Sequence, residues 1–247
     1  MVAAERGVAV LILGIETATE RVSVAIGGHD GTIALVEVNR GRRHAENLMP
    51  SVETACRLAD VTVAEFGCVA VDVGPGLFTG MRVGIATATS MAGALDLPVV
   101  TATSLELLAL AVRDDVDCTT ERYVCSVVDA RTGEVFHQLF RVTTDGHENL
   151  SEPLCESPEV LASRLRERSH EIVCVGDGAR RHHETLVVDS RIVLAGERWD
   201  SPSASTLVEL AHRRSLREEW TESDGVRAMY LRQPDAEINW STRNDAP

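Results

Sequence analysis

The sequence contains no lysine. That absence excludes a phosphate-loop lysine, a kinase-type lysine and Schiff-base chemistry, because each needs a primary amine at a fixed place. All 24 basic residues are arginine, against 38 acidic ones, and the formal net charge is −14. A field of that sign repels nucleic-acid phosphates unless a basic patch or a basic partner offsets it. Aromatic residues are few, at 4%, and no apolar run approaches the ~20 residues of a membrane span. The run from Val8 to Ile15 lies where a secretory signal would sit. Glu5 and Arg6 precede it, polar residues follow, and two more strand-like runs come at once, so it reads as a buried strand. The six cysteines (Cys56, Cys68, Cys118, Cys125, Cys155 and Cys174) form no C-x-x-C and no zinc-finger spacing with histidine. They read as reduced, mostly buried thiols in a cytoplasm, rather than as a catalytic cysteine.

What is present is an apolar, alternating chain of 247 residues with 44% hydrophobic content, enough for one large domain or two lobes. Residues 8–16, 21–27 and 32–39 are rich in β-branched residues and predict an antiparallel meander. Residues 44–59 place Ala45, Leu48, Met49, Val52, Cys56 and Ala59 on one helical face, with Pro50 expected to kink the helix or delay its start. A buried strand at 67–73, a glycine loop, a helix over 79–95, a short strand at 97–101 and a helix at 103–113 follow. The pattern then begins again. Strands at 122–129 and 134–142 flank "ARTG", and a helix at 158–168, a strand at 171–176, "GDGA" at 176–179 and a short strand at 191–195 come after. A capped amphipathic helix is expected over 201–219. This echo points to a duplicated α/β unit.

The loop "GPGLFTG" between a strand and a helix supports two readings. Successive backbone N–H groups at a helix start can bind an anion. Glycines also permit close backbone approach, with Thr79 as helix N-cap. The helix beyond is uncharged between Arg82 and Asp96, and Gly80, Gly84, Ala88 and Ala92 recur every four residues. Such a groove admits a close neighbour. That neighbour is either the helix at 44–59 or another protein chain.

Five blocks in order resemble the TsaB (YeaZ) family: "LGIETATERVSVAI", "RRHAENLMPSVETA", "GPGLFTGMRVGIATATSMAGALDLPVVTATSLELLA", "VVDARTGEVF" and "MYLRQP". The resemblance runs from about residue 10 to residue 234. It implies an actin-like (ASKHA, ribonuclease H-like) duplicated two-lobe α/β fold with mixed sheets flanked by helices. Residues 1–103 would form the first lobe, with 203–232 packing back on it, 104–202 the second lobe, and 233–247 a loosely ordered tail. The implied role is non-catalytic support of tRNA N6-threonylcarbamoyladenosine formation. The implied partners are TsaD, which performs the transfer, and TsaE, with TsaC in the same pathway, and a homodimer when the chain is alone. No strong direct tRNA binding, no metal and no membrane contact are expected. TsaD-type proteins carry two histidines four residues apart after the strand that follows the uncharged helix. Thr101 to Ala109 has none there, and Glu106 is the single potential ligand. The competing reading is a metal- or ATP-dependent actin-like enzyme, a TsaD-like transferase of the former M22 glycoprotease type.

The resemblance also nominates residues. The partner face would draw on His44, Leu48, Met49 and Val52 of the first helix. From the second it would draw on Thr79, Gly80, Met81, Gly84, Ile85, Ala88 and Ala92. A vestigial nucleotide site would use Glu16, Thr17, Gly74, Gly76, Asp129, Gly176 and Gly178, with ATP or ADP near the partner seam. The plainer reading makes Glu16 a hairpin-turn carboxylate and Asp129 an Asx-type turn. Arg131 would pair with Asp129 or face a partner. His182 and His183 beside Arg180 and Arg181 read as a solvated cluster.

Overall fold

The structure, a computed structural model, describes residues 10–41, 43–115, 121–144 and 146–232, with the side chains of 114 and 115 excepted. Cys118 and the expected tail from 233 onward lie outside these residues.

Two sheets of the same winding carry the fold. In the first, β1 (Ile12–Glu16), β2 (Val22–Gly28) and β3 (Gly31–Val38) form the antiparallel meander. β4 (Cys68–Asp72) and β5 (Val99–Ala102) add in parallel beside β1, giving the order β3-β2-β1-β4-β5. In the second, β6 (Arg122–Asp129), β7 (Val135–Thr143) and β8 (Gly146–Asn149) make the meander, and β9 (Leu154–Glu156) pairs with β7. β10 (Ile172–Val175) and β11 (Ile192–Leu194) then add in parallel, so the order is β11-β10-β6-β7-β8. β8 and β9 are strands the sequence pattern does not announce. "GHEN" and "LCE" are short, half-exposed edge pieces with no alternating apolar face.

Helices cover both faces of the first sheet. α1 (His44–Ala59) and α2 (Phe78–Leu95) lie on one face. There Leu48, Val52, Ala88 and Ala92 pack on Leu13, Ile15, Val24, Val69 and Val71. α7 (Ala204–Ser215) covers the other face, with Leu207, Val208 and Ala211 on Ile12, Ala25 and Ala70. Each fully buried Val or Leu contributes about 1.5–3 kcal/mol, which fixes these faces firmly. α3 (Ser104–Ala111) is buried along its whole length. Its Leu107 and Leu110 join the α7 core, and its Leu105, Leu108 and Ala109 join the second sheet's core with Val124 and Phe140. It is the wedge that joins the lobes. In the second lobe α4 (Pro158–Arg166) packs Leu161, Ala162 and Leu165 on Cys125, Val127 and Cys174. The short helices α5 (Asp177–Arg181) and α6 (His183–Leu186) follow β10.

Beyond α7 the chain turns back. Thr221 bridges to Val99, Val226 enters the α1/α2 core, and the Met229 N–H donates to Val73 O at 2.8 Å. Pro50 does not delay the start of the helix. α1 begins at His44 and runs unbroken through Pro50 to Ala59. Pro50 lies on the exposed side, where water reaches the carbonyl of Glu46 that its missing N–H leaves free, while Leu48, Ser51, Val52 and Ala55 hold the opposite side in the core.

The approach of α7 to β1 is close. A Cβ built on Gly14 would lie 2.8 Å from Val208 Cγ2 and 3.0 Å from Ala204 O. Gly14→Ala is therefore predicted to destabilise the protein by about 1–3 kcal/mol through overpacking. The effect should appear as a lower urea midpoint with an unchanged m-value.

Candidate partner face and interlobe cleft

The small-residue stripe of α2 does not face outward. Gly80, Gly84, Ala88 and Ala92 are all buried, and so is Met81. A Cβ on Gly80 would meet Thr17 O at 2.2 Å and the His44 ring at 3.1 Å. A Cβ on Gly84 would meet Thr17 Oγ1 at 2.2 Å. The stripe is thus the seat of the turn between β1 and β2. Thr17 Oγ1 donates to Gly80 O at 2.8 Å, the Leu77 N–H donates to Ala18 O at 2.6 Å, and His44 Nε2–H donates to Thr19 O at 2.7 Å. His44, Leu48 and Val52 are buried with them, at 3%, 1% and 1% exposure. Of the residues nominated for a partner face, Met49 and Thr79 are exposed and Ile85 is half-buried. Thr79 is not the N-cap: α2 starts at Phe78, behind Leu77, with no side-chain cap.

The outward side of α2 is a different set: Phe78, Thr79, Arg82, Ala86, Ser90, Gly93 and Ala94. Arg82 is the single charge among them. Its guanidinium stacks over the Phe78 ring at 3.8 Å, and its Nε donates to Tyr230 OH at 3.2 Å. α1 lies beside α2 on the same sheet face and exposes Ala45, Met49 and Glu53.

The ends of β1 and β6 mark where the two lobes meet. Glu16 is fully buried at the end of β1. Its Oε1 accepts the Ala18 N–H at 2.7 Å, and its Oε2 has no partner among the described residues. Burial, and then the neighbouring Asp72 carboxyl, push Glu16 well above the usual carboxylate range. Asp72 closes β4. Its Oδ1 accepts the Gly74 N–H at 2.8 Å, and both its oxygens accept the Ser104 hydroxyl, at 2.9 and 2.8 Å. Burial pushes Asp72 up to about 7 against those hydrogen bonds. Asp72 and Ser104 were not singled out from sequence, although a carboxylate ending the apolar run "CVAVD" was the available signal.

The first-lobe glycine loop is packed against the chain's own β1–β2 turn. A Cβ on Gly76 would stand 2.1 Å from Ala18 O, so that glycine exists to admit the chain's own turn. The Gly74 and Leu77 N–H groups already donate within the chain. In the second lobe Gly176, at φ +106°, and Gly178 back on to Val127 and Asp129 in the same way. Asp129 forms the Asx turn, accepting the Arg131 N–H at 2.9 Å. Arg131 pairs with Asp129 and Asp177 and also crosses to Glu20 of the first lobe at 3.3 Å. Burial lifts Asp177 to about 6. Arg180 is engaged by Asp200 and Arg181 by Asp129, each at 3.0 Å.

Glu106 is 6% exposed in α3. Burial alone would raise its pKa, but His147 and Arg214 outweigh that and hold it below the ordinary value. Both reach the same oxygen, at 3.0 and 2.5 Å. Among the described residues no group of three or more His, Cys, Asp and Glu is placed to hold a metal ion. Of the cysteines, Cys68, Cys125 and Cys174 are buried. Burial pushes Cys68 up to about 12, which opposes thiolate chemistry. Among the described residues no helix is long and apolar enough to cross a membrane.

Two like-wound sheets, flanked by helices, define an actin-like (ASKHA) protein. The family model described as "TsaD: tRNA N6-adenosine threonylcarbamoyltransferase" matches residues 39–240, and the chain belongs to that family. It is similar to the tRNA threonylcarbamoyladenosine biosynthesis protein TsaB of Escherichia coli, 28% identical, over 90% of this chain and 94% of that one. It is also similar to the TsaB protein of Bacillus subtilis, 25% identical, over 93% and 97%. The crystal structure of YeaZ from Pseudomonas aeruginosa superposes with a TM-score of 0.79 at 25% identity, over 90% of this chain and all of that one.

The buried carboxyls carry a pH signature. Between about 4, where unfolded aspartate titrates, and about 7, the folded state holds a proton at Asp72 that the unfolded chain has released. This contribution to stability is fully present in acid and is lost as pH rises through about 7. Asp72→Asn should flatten that part of the slope. Urea midpoints measured from pH 5 to pH 8 for both proteins provide the check.

Proposed function

We propose that this chain is a non-catalytic subunit in the formation of N6-threonylcarbamoyladenosine in tRNA, where it binds and supports a TsaD-type transferase. Relatives bearing the TsaB name support the process. The lack of a histidine pair over Thr101–Ala109 supports the helper role, since Glu106 alone stands there and is engaged by His147 and Arg214.

The observation that carries the partner assignment is the outward side of α2. A solvent-facing helical side normally carries several charges. This one presents Phe78, Thr79, Ala86, Ser90, Gly93 and Ala94, with Arg82 as its one charge. Small uncharged side chains let a second helix come close. We place the partner's equivalent helix pair against α1 and α2 in a four-helix bundle, burying more than ~1,000 Å² in total. The same face supports a homodimer when the transferase is absent. TsaE acts alongside the pair, TsaC acts earlier in the pathway, and the setting is the cytoplasm. With a net charge of −14, the isolated chain has negligible affinity for tRNA at physiological salt.

Gly84 is unsuitable as a probe of this face because it lies in the monomer's own packing. Ala86 is exposed and central. Ala86→Arg is predicted to keep the wild-type melting temperature within about 2 °C, since exposed substitutions rarely cost more than about 0.5 kcal/mol. It should weaken TsaD binding at least tenfold, about 1.4 kcal/mol, in a calorimetric titration. Unchanged binding by a folded variant would remove this face from the complex.

A further inference from the structure

We infer that the groove between α7 and the β7–β8 hairpin binds a small molecule bearing a phosphate or pyrophosphate. The groove has a volume of about 410 Å³, in the range of small-molecule sites. Its walls come from α7, the residues after α3 and the second-lobe hairpin, so it is separate from the outward face of α1 and α2.

Five of the chain's 24 arginines line it, in a protein of net charge −14. They arrive from separate segments. Arg113 follows α3, Arg141 is on β7, Arg213 and Arg214 are on α7, and Arg217 lies just beyond α7. The lining carboxylates among the described residues are three, Glu148, Glu209 and Glu219. Cations in the last turn of a helix complement its dipole, which accounts for the α7 arginines. It does not account for Arg113 and Arg141, which the fold brings to the same groove from other elements.

The inner wall is preset. Arg214 donates to Thr101 O at 2.6 Å and to Glu106 at 2.5 Å, and Arg113 is held by Glu209 at 3.0 Å. His147 shares the Glu106 oxygen from the hairpin side. The mouth is looser. Arg141 pairs there with Glu148 and Glu121, and Arg217 stands 3.8 Å from Glu219, all five side chains being 42–65% exposed. Exposed pairs of this kind contribute about 0–1 kcal/mol. A phosphate dianion displaces such carboxylates readily and takes two guanidinium forks at once. The small, concave shape and the surrounding negative field favour a compact ligand over an RNA backbone.

The test is calorimetric titration of the full chain at low ionic strength with inorganic pyrophosphate, and in a second arm with a nucleoside diphosphate. Saturable one-to-one binding is expected, weakened at least tenfold in Arg141→Gln/Arg217→Gln and unchanged in Arg57→Gln on α1. Should the double variant unfold, Arg217→Gln alone is expected to weaken binding at least threefold. Tighter binding of the nucleoside diphosphate would assign a nucleotide as the source of the phosphate, and equal binding a free diphosphate. Absence of saturable binding in both arms overturns the inference. So does equal affinity in the wild type and the folded double variant, or binding of an RNA oligonucleotide without binding of either small ligand.

Discussion

The short turn Thr17–Thr19, held between the starts of α1 and α2, is the contact on which the rest of the first lobe depends. Its carbonyls and the Thr17 hydroxyl meet Leu77, Gly80 and His44 at hydrogen-bonding distance. Any side chain at Gly76, Gly80 or Gly84 would intrude on it. Three glycines in this loop and helix therefore answer one steric demand. By fixing α2 over β1 and β4, the contact also fixes which side of α2 meets water. The uncharged outer side and the glycine-lined inner side are two consequences of the same docking.

The buried carboxyl pair follows from the same geometry. With the turn drawn on to α2, Glu16 is sealed beside Asp72, and both carboxyls sit well above their usual titration range. The glycine loop is filled by its own chain, and burial disfavours the charged form of both carboxyls. The second lobe repeats the arrangement, with Gly176 and Gly178 pressed on β6 and Asp129 held by Arg131 and Arg181. Arg131 then ties the lobes together through Glu20. The two halves of the actin-like scaffold thus repeat one packing of glycines against their own strands and turns.

Much of this was legible from the residues. The helix over 44–59 and the strand over 122–129 fall where their periodicity puts them, because long patterned segments carry strong signals. β8 and β9 were not legible, since short polar edge strands are decided by pairing with β7 rather than by pattern. Four-residue spacing in α2 revealed a stripe of small residues but not what it faces. That depends on a turn 63 residues away, which only the fold brings near. The Glu106–His147–Arg214 cluster joins three separate elements and leaves no mark in any one of them.

The central claim is that the outer side of the α1–α2 layer is where this chain meets the transferase. Hydroxyl-radical footprinting tests it most directly. Met49 and Phe78 lie on that layer at 43% and 41% exposure, and Trp220 lies beyond α7 at 42%. The account predicts that adding TsaD lowers the reactivity of Met49 and Phe78 severalfold and leaves Trp220 unchanged. Protection of Trp220 with Met49 and Phe78 still fully reactive would contradict it.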